Sequence, residues 1–395
     1  MRLAFDIESD GLNEIIINKK GEAVPEGTRV WCLVAKDIDT EEVYTFTGDD
    51  VSKGVDLLRS ASLIIGHNIV MFDVPFLERL YGPINTKVND TLIVSRLMYP
   101  DRKDHPLGGN SLECWGKHLG LNKIDFTDGW DCFTEDMLTY CIRDVDVTVE
   151  IFKAQEKYNE EFPKSVQLEH MVSRIIANQI ANGIGFDIDA ADELERDLFM
   201  EKVLIEDDMA QIFPPIVEER WSDKTGKRLK DKVTNFNPAS RKHIAERLSD
   251  KYGWVPPKTE KGNPKVDAAV LKKLKYPEAK TLVRYFDIQK LLGMVSDWIN
   301  RARHSRDGRI HGSVNPQGTV TGRMTASQPN LQQVSSDPRS RRLFVPRDGW
   351  VQVGIDASGL EARLLANRMA PWDKGAYGKV VIDGDIHAKN MEVTG

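Results

Sequence analysis

RLAFDIES, residues 2–9, sets apolar and acidic side chains side by side in one short extended run. A period of two identifies a β-strand, and it puts Asp6 and Glu8 on the same face. Two ionised carboxylates beside an apolar strand are costly unless a cation neutralises them. The strand therefore implies both a sheet and a local demand for positive charge. Further along, TRVWCLVAKD (28–37) and VYTFTG (43–48) read as strands, and ASLIIGHN (61–68) as an apolar run ending in a turn. After Asp73, the residues Val74, Leu77 and Leu80 recur at helical spacing. Residues 90–98 read as a helix capped by Asp90, and 134–152 as another, on which Tyr140 and Asp144 share a face. Mixed strands with interleaved helices predict an α/β domain over residues 1–160.

Beyond it, residues 165–212 are helical in pattern, broken by the Gly-rich turn NGIGFDID (182–189). KTGKRLKDK (224–232) reads as an exposed connection, FNPASRKHIAERL (236–248) as a capped helix start, with helices continuing to about 303. This predicts a mainly helical second domain over 161–308. From 309 two extended segments flank a turn, and WVQVGIDASGLEARLLANRM (350–369) reads as a strand running into a helix, so 309–395 forms a third, α+β part.

Composition agrees with several globular domains: 395 residues, 41% hydrophobic and 29% charged. No run approaches the ~18 apolar residues of a membrane span. Acids in MRLAFDIESD occupy the place of a signal peptide's apolar stretch, and Cys32, Cys114, Cys132 and Cys141 form no CxxC pair. A soluble protein of a reducing cytoplasm is expected, without structural zinc or disulfides. The net charge of −7 conceals an asymmetry. Residues 1–150 hold 15 Lys/Arg against 27 Asp/Glu, whereas 220–350 hold 28 against 12. An acidic front and a basic middle suit divalent cations in one place and a polyanion in another.

The front acids sharpen this. Asp6 and Glu8, then Asp73 where a loop enters a helix, then Tyr140 and Asp144 can be delivered by three elements to one place. Four carboxylates suit two divalent cations roughly 3.5–4 Å apart, the arrangement that clamps the attacking and leaving oxygens of a phosphodiester. Hard oxygen ligands select Mg²⁺ or Mn²⁺ over zinc. The order DIE, HNxxxFD, YxxxD resembles the DEDDy 3′→5′ exonuclease superfamily. The resemblance implies a ribonuclease H-like exonuclease domain in which Asp6, Glu8, Asp73 and Asp144 bind two metal ions and Tyr140 orients the attacking water. Asp146 is a rival for Asp144, Asp90 reads as a helix cap, and His67 and Asn68 as structural hydrogen-bonders.

TVTGRMTASQPNLQQV (319–334) followed by RSRRLFVP (339–346) resembles the template–primer-binding segment of family A (polymerase I-like) DNA polymerases. By that resemblance Arg323 reaches the minor groove near the primer terminus, where acceptors are similarly placed for every base pair, and Gln332 contacts the nucleic acid. VGIDASGLEARLLA (353–366) is similar to motif A: Asp356 would bind both catalytic Mg²⁺ ions and Glu361 would exclude a ribose 2′-hydroxyl. In GDIHAKN (384–390), His387 would touch the incoming dNTP, while Asp385 caps a helix. The strings NGIGFDID, FNPASR and DGDIHAKN narrow the resemblance to the compact polymerases of T-odd podoviruses, across essentially the whole chain. The helical middle would be the thumb and its base, with Lys272, Lys273, Lys290, Arg301 and Arg303 as salt-sensitive phosphate contacts.

The chain departs from that pattern in two places. Only KTGKRLKDK stands where thioredoxin-borrowing members carry a long insert, so nothing supports thioredoxin as a partner. The acids after Asp356 (Glu361, Asp373, Asp383, Asp385, Glu392) lie on no second apolar strand, so the palm reads as incomplete. The expectation is a proofreading and primer-template-binding portion of a split phage DNA polymerase, completed by a second polypeptide that supplies the rest of the palm and fingers. A freestanding exonuclease with a vestigial polymerase part, or a non-catalytic DNA-binding subunit, are the alternatives.

Overall fold

In the computed structural model the described residues are 1–12, 16–17, 23–24, 26–101, 108–124, 126, 129–386, 388 and 391. They form two compact units, Met1–Val345 and Pro346–Gly395.

The first unit opens with a five-stranded mixed sheet. The strands are β1 (Arg2–Ser9), β2 (Val30–Asp37), β3 (Val43–Thr47), β4 (Leu63–Gly66) and β5 (Val88–Asp90), in the spatial order β3-β2-β1-β4-β5. The β1–β2 and β2–β3 pairs are antiparallel, the β1–β4 and β4–β5 pairs parallel. The period of two in β1 divides its side chains as expected. Leu3, Phe5 and Ile7 enter a core with Leu33, Val55, Phe76 and Leu77, under helices α1 (Val51–Ser60) and α2 (Asp73–Tyr81). Each such buried side chain is worth roughly 1.5–3 kcal/mol. The opposite face, with Ala4, Cys32, Val34 and Ile65, packs on helix α5 (Glu135–Glu161) through Met137, Cys141, Val145, Val149 and Phe152. Asp6 and Glu8 belong to this second face. Between α2 and α5 in sequence come α3 (Thr91–Met98) and α4 (Leu112–Leu119).

Asp90 caps α3 by accepting from Leu92 N–H, as the sequence predicts, and also accepts from Asn68 and Val70 N–H, which fixes the turn after β4. His67 bonds Thr91 Oγ1 at 2.9 Å. Burial pushes its pKa down to about 4, so the ring is neutral. Asp146 pairs with Lys36 of β2 at 2.9 Å.

After α6 (Pro163–Asn182) and the short β6 (Gly185–Phe186), a separate core lies within Phe186–Leu343. Its centre is α7 (Ile188–Ile212) against α9 (Pro277–His304), with Trp298 and Tyr285 among the largest buried side chains and α8 (Arg241–Tyr252) beside them. Between α7 and α8 the structure corrects the expected loop at 224–232. Residues Ile216–Trp221 (β7) and Arg228–Thr234 (β8) pair antiparallel as a hairpin, every residue of β7 being exposed. The extended segments predicted after 309 are Ser313–Asn315 (β9) and Thr325–Ser327 (β10), paired antiparallel, and Phe344–Val345 (β11) pairs with β6.

The second unit corrects another expectation. Residues 350–356 form no strand, and none is present among the described residues of this unit. A strand requires a neighbour for its backbone hydrogen bonds, and Val351, Val353 and Ile355 stand 81%, 72% and 92% exposed. The helix that follows does form, as α10 (Leu360–Asp373), turning through Lys374 and Gly375 at positive φ into α11 (Ala376–Asp383). Asp373 accepts from Gly375 and Tyr377 N–H, a capping role.

Candidate carboxylate metal site

The antiparallel register of β1 with β2 sets Asp6 opposite Val34 and Glu8 opposite Cys32, beneath α5. Along the buried stripe of α5, Asp144 takes its place among Cys141, Val145 and Thr148, so the helix drives an acid onto the sheet face. Asp73 comes from the other side. The chain leaves β4 at Gly66, where an added Cβ would lie 2.1 Å from Ile69 Cγ2, and reverses at Asn68, φ 74°. The Met71 and Phe72 N–H groups donate to Asn68 O, and α2 begins with Asp73 itself.

These acids sense one another. Removal from water, then Asp73, Glu8 and Asp144, raise Asp6 well above the carboxylate range. Burial, then Cys32, Asp144 and Asp73, push Glu8 up to about 9. Burial raises Asp73 to about 7, although the Ile7 backbone N–H bond opposes the shift. Burial also raises Asp144, and Lys123 pulls it back down. Ligand atoms of Asp6, Glu8 and Cys141 lie within 4.8 Å of one another. The Cys141 thiol is itself driven up, first by burial and then by Cys32, so it remains protonated and serves as packing beside Asp6. Asp144 Oδ1 is buried without a hydrogen-bond partner. Mutually repelling oxygen donors and an unsatisfied carboxylate oxygen fit a hard divalent cation.

Sequence reasoning missed Lys123. Its ammonium lies 2.7 Å from Asp144 Oδ2 and donates to Tyr140 Oη at 2.8 Å. Its loop carries no periodicity that would mark it. Beside it a cavity of about 590 Å³ is lined by Lys117, Lys123, Phe126, Trp130 and Tyr140 among others. Phe126 and Trp130 have ring centroids 4.8 Å apart, and Trp130 meets Tyr140 edge-on at 6.2 Å.

Elsewhere, Arg323 and Gln332 are exposed and close together, because Gln332 Nε2 donates to Met324 O at 3.4 Å. Lys272, Lys273 and Lys290 are exposed. Arg301 and Arg303 are paired to Asp297 at 2.8 Å and Asp192 at 2.5 Å, so part of their charge is already met. Asp356 lies on the exposed segment before α10, and Glu361 is in the first turn of that helix. Asp385 accepts from Ala388 N–H, and His387 lies outside the described residues.

Residues 217–390 match the family model for DNA polymerase family A. The T7-like phage enzymes fit the chain along nearly its whole length. It is 29% identical to the DNA-directed DNA polymerase of Escherichia phage T7, over 98% of this chain and 72% of that protein. It is 30% identical to the thermostable DNA polymerase I of Thermus aquaticus over 51% of this chain and 23% of that one. Among solved structures, the POL domain of Pol1 from M. smegmatis, in complex with DNA primer-template and dNTP, superposes with a TM-score of 0.65 at 17% identity. That match covers 88% of this chain and 56% of the other, and shows likeness of fold. Among the described residues no helix is long and apolar enough to cross a membrane.

Proposed function

We propose that this chain is the proofreading and primer-template-binding portion of a DNA-dependent DNA polymerase. In this reading residues 1–160 are a ribonuclease H-like 3′→5′ exonuclease, 161–308 a helical thumb with its base, and 309–395 part of a palm with the start of the fingers. The observation that carries it is the convergence of Asp6, Glu8, Asp73 and Asp144 from β1, α2 and α5.

The four carboxylates would hold two Mg²⁺ or Mn²⁺ ions, which when bound stabilise charge on the attacking and leaving oxygens of a phosphodiester. The chain's own residues do the rest. The phenol of Tyr140 orients a water toward the acids. Phe126 and Trp130 offer flat faces on which an unpaired 3′ base can stack. Removing Asp6 and Glu8 together (D6A/E8A) is expected to abolish degradation of a primer 3′ end and leave DNA binding nearly intact. Wild-type degradation by that variant overturns the assignment.

The basic middle and the Arg323–Gln332 hairpin would track primer-template DNA. Asp356 would hold the two metal ions of the polymerase centre, with Glu361 and His387 toward the dNTP. Phosphoryl transfer needs more acids and fingers cations than these residues supply, and a second polypeptide that brought them would also cover Val351, Val353 and Ile355. Primer extension by a mixture of the two, lost on Asp356→Ala while degradation persists, is the expected result. Extension by this 395-residue chain alone overturns that part of the reading.

A further inference from the structure

Lys123 has no role in the exonuclease reading, yet its place is well defined. α4 ends at Gly120, φ 72°, and Leu121 N–H returns to Gly116 O at 2.8 Å, while the Leu121 side chain packs beside Trp115. The next two residues carry the chain to the acid cluster, where the Lys123 side chain is 22% exposed. There the ammonium also lies 4.8 Å from the centre of the Tyr140 ring.

Resting on that exonuclease reading, we propose that Lys123 is a positioning residue of the same centre. It holds Asp144 and Tyr140 in their working orientations and balances the charge of the scissile phosphate. The two oxygens of Asp144 are divided between two tasks. Oδ2 is taken by Lys123, and Oδ1 is buried and unpartnered. One bond to the ammonium thus fixes the carboxylate rotamer and keeps the other oxygen for a cation. An ammonium can only donate, so it occupies a lone pair of Tyr140 Oη. The phenolic O–H, which in this structure is directed at Asp144 and lowers its pKa against the effect of burial, remains the group that can donate to a water or a phosphate oxygen. Charge agrees with this. Four carboxylates and one ammonium sum to −3, and two divalent cations bring the site to +1. A phosphodiester then makes it neutral. Without Lys123 the loaded site would be neutral, and the bound phosphodiester would leave it with a net charge of −1.

The test uses the full chain with Lys123→Met, which keeps the apolar stem. Three quantities are measured: the single-turnover degradation rate of a single-stranded oligonucleotide at saturating Mn²⁺, its KM, and Mn²⁺ affinity by electron paramagnetic resonance without DNA. The rate is expected to fall about 10- to 100-fold with KM within threefold, while Mn²⁺ affinity holds or rises because a repelling charge is gone. In the Lys123→Met background Tyr140→Phe should add less than twofold, since the phenol has already lost its anchor. A wild-type rate, or a rate fully restored by more Mn²⁺, overturns the proposal, as does a joint fall in melting temperature and Mn²⁺ affinity, which marks a structural role. The D6A/E8A variant is the control. If it is dead and Lys123→Met is active, Lys123 alone is misassigned. If it degrades like wild type, the exonuclease reading fails and takes the proposal with it.

Discussion

Two acids, Asp6 and Asp356, follow apolar residues in similar strings, FDIE and GIDA, yet the structure treats them in opposite ways. Asp6 is on a strand paired on both sides, under a helix, with three more carboxylates raising its pKa. Asp356 is on an exposed segment without regular structure, and the apolar residues before it face solvent. A carboxylate acquires strong metal chemistry when a scaffold withdraws it from water and crowds it with others. Asp356 has no such scaffold around it within the exposed segment before α10. The difference lies in the neighbours, not in the motif.

The widest gap should appear in activity. The D6A/E8A double variant should lose 3′-end degradation by a factor on the order of 10³ or more, since the ligands act as a unit. Asp356→Ala should change degradation by less than twofold. Timed gel analysis of an end-labelled primer separates the two, and an equal loss in both erases the contrast.

Asp90 tests whether the front scaffold or the acids alone make the site. It is 1% exposed, and its oxygens serve Asn68, Val70 and Leu92 N–H. Asp90→Ala strands donors in the turn that leads to Asp73, and should cost about 2–4 kcal/mol. Urea unfolding followed by circular dichroism checks it, and a loss under about 1 kcal/mol would show the turn to be held by other means.

Metal dependence of stability should track the same divide. Glu8 rises from 4.5 to about 9 in the folded chain, and Asp73 from 3.8 to about 7. Folding therefore takes up protons. The stability these groups contribute is fully present below about pH 4 and is lost as pH rises through 7 and on to 9. A divalent cation replaces the protons, so Mg²⁺ should raise Tm by roughly 3–6 °C near pH 9 and by much less at pH 6. Scans with EDTA or Mg²⁺ at three pH values measure this. A pH-independent shift would place the metal elsewhere.

Much of this was legible in the residues. The alternation of Leu3, Phe5 and Ile7 with Ala4, Asp6 and Glu8 foretold which face the acids occupy, and the spacing of Tyr140 and Asp144 their shared helix face. Asp90 declared itself as a cap. Lys123 was silent, because its role depends on a loop turned by Gly120 toward a helix that begins fifteen residues after that glycine. The Lys-rich β8 was masked by its low strand propensity, its pairing being supplied by Ile216, Val217 and Trp221 across the hairpin. The reverse error arose at 350–356, where apolar pattern is present and a neighbouring strand is not. Pattern reports which face wants burial, and only tertiary partners decide whether burial occurs.

That dependence on partners sets the smallest effect. Ile355 is 92% exposed, so Ile355→Ser removes no packing from this chain, and the change in its unfolding free energy should be under about 0.5 kcal/mol. Phe5→Ala, on the buried side of β1, should cost about 3–5 kcal/mol for a similar loss of apolar surface. The near-silent substitution is the more informative one. If a second polypeptide covers residues 350–356, Ile355→Ser should weaken that association measurably while leaving the isolated chain as stable as before. Sedimentation of the mixture reads the association, and urea unfolding of the isolated chain reads its stability. A stability loss in the isolated chain comparable with that of Phe5→Ala would mean that Ile355 is packed in solution and that the contrast between the two acids is false.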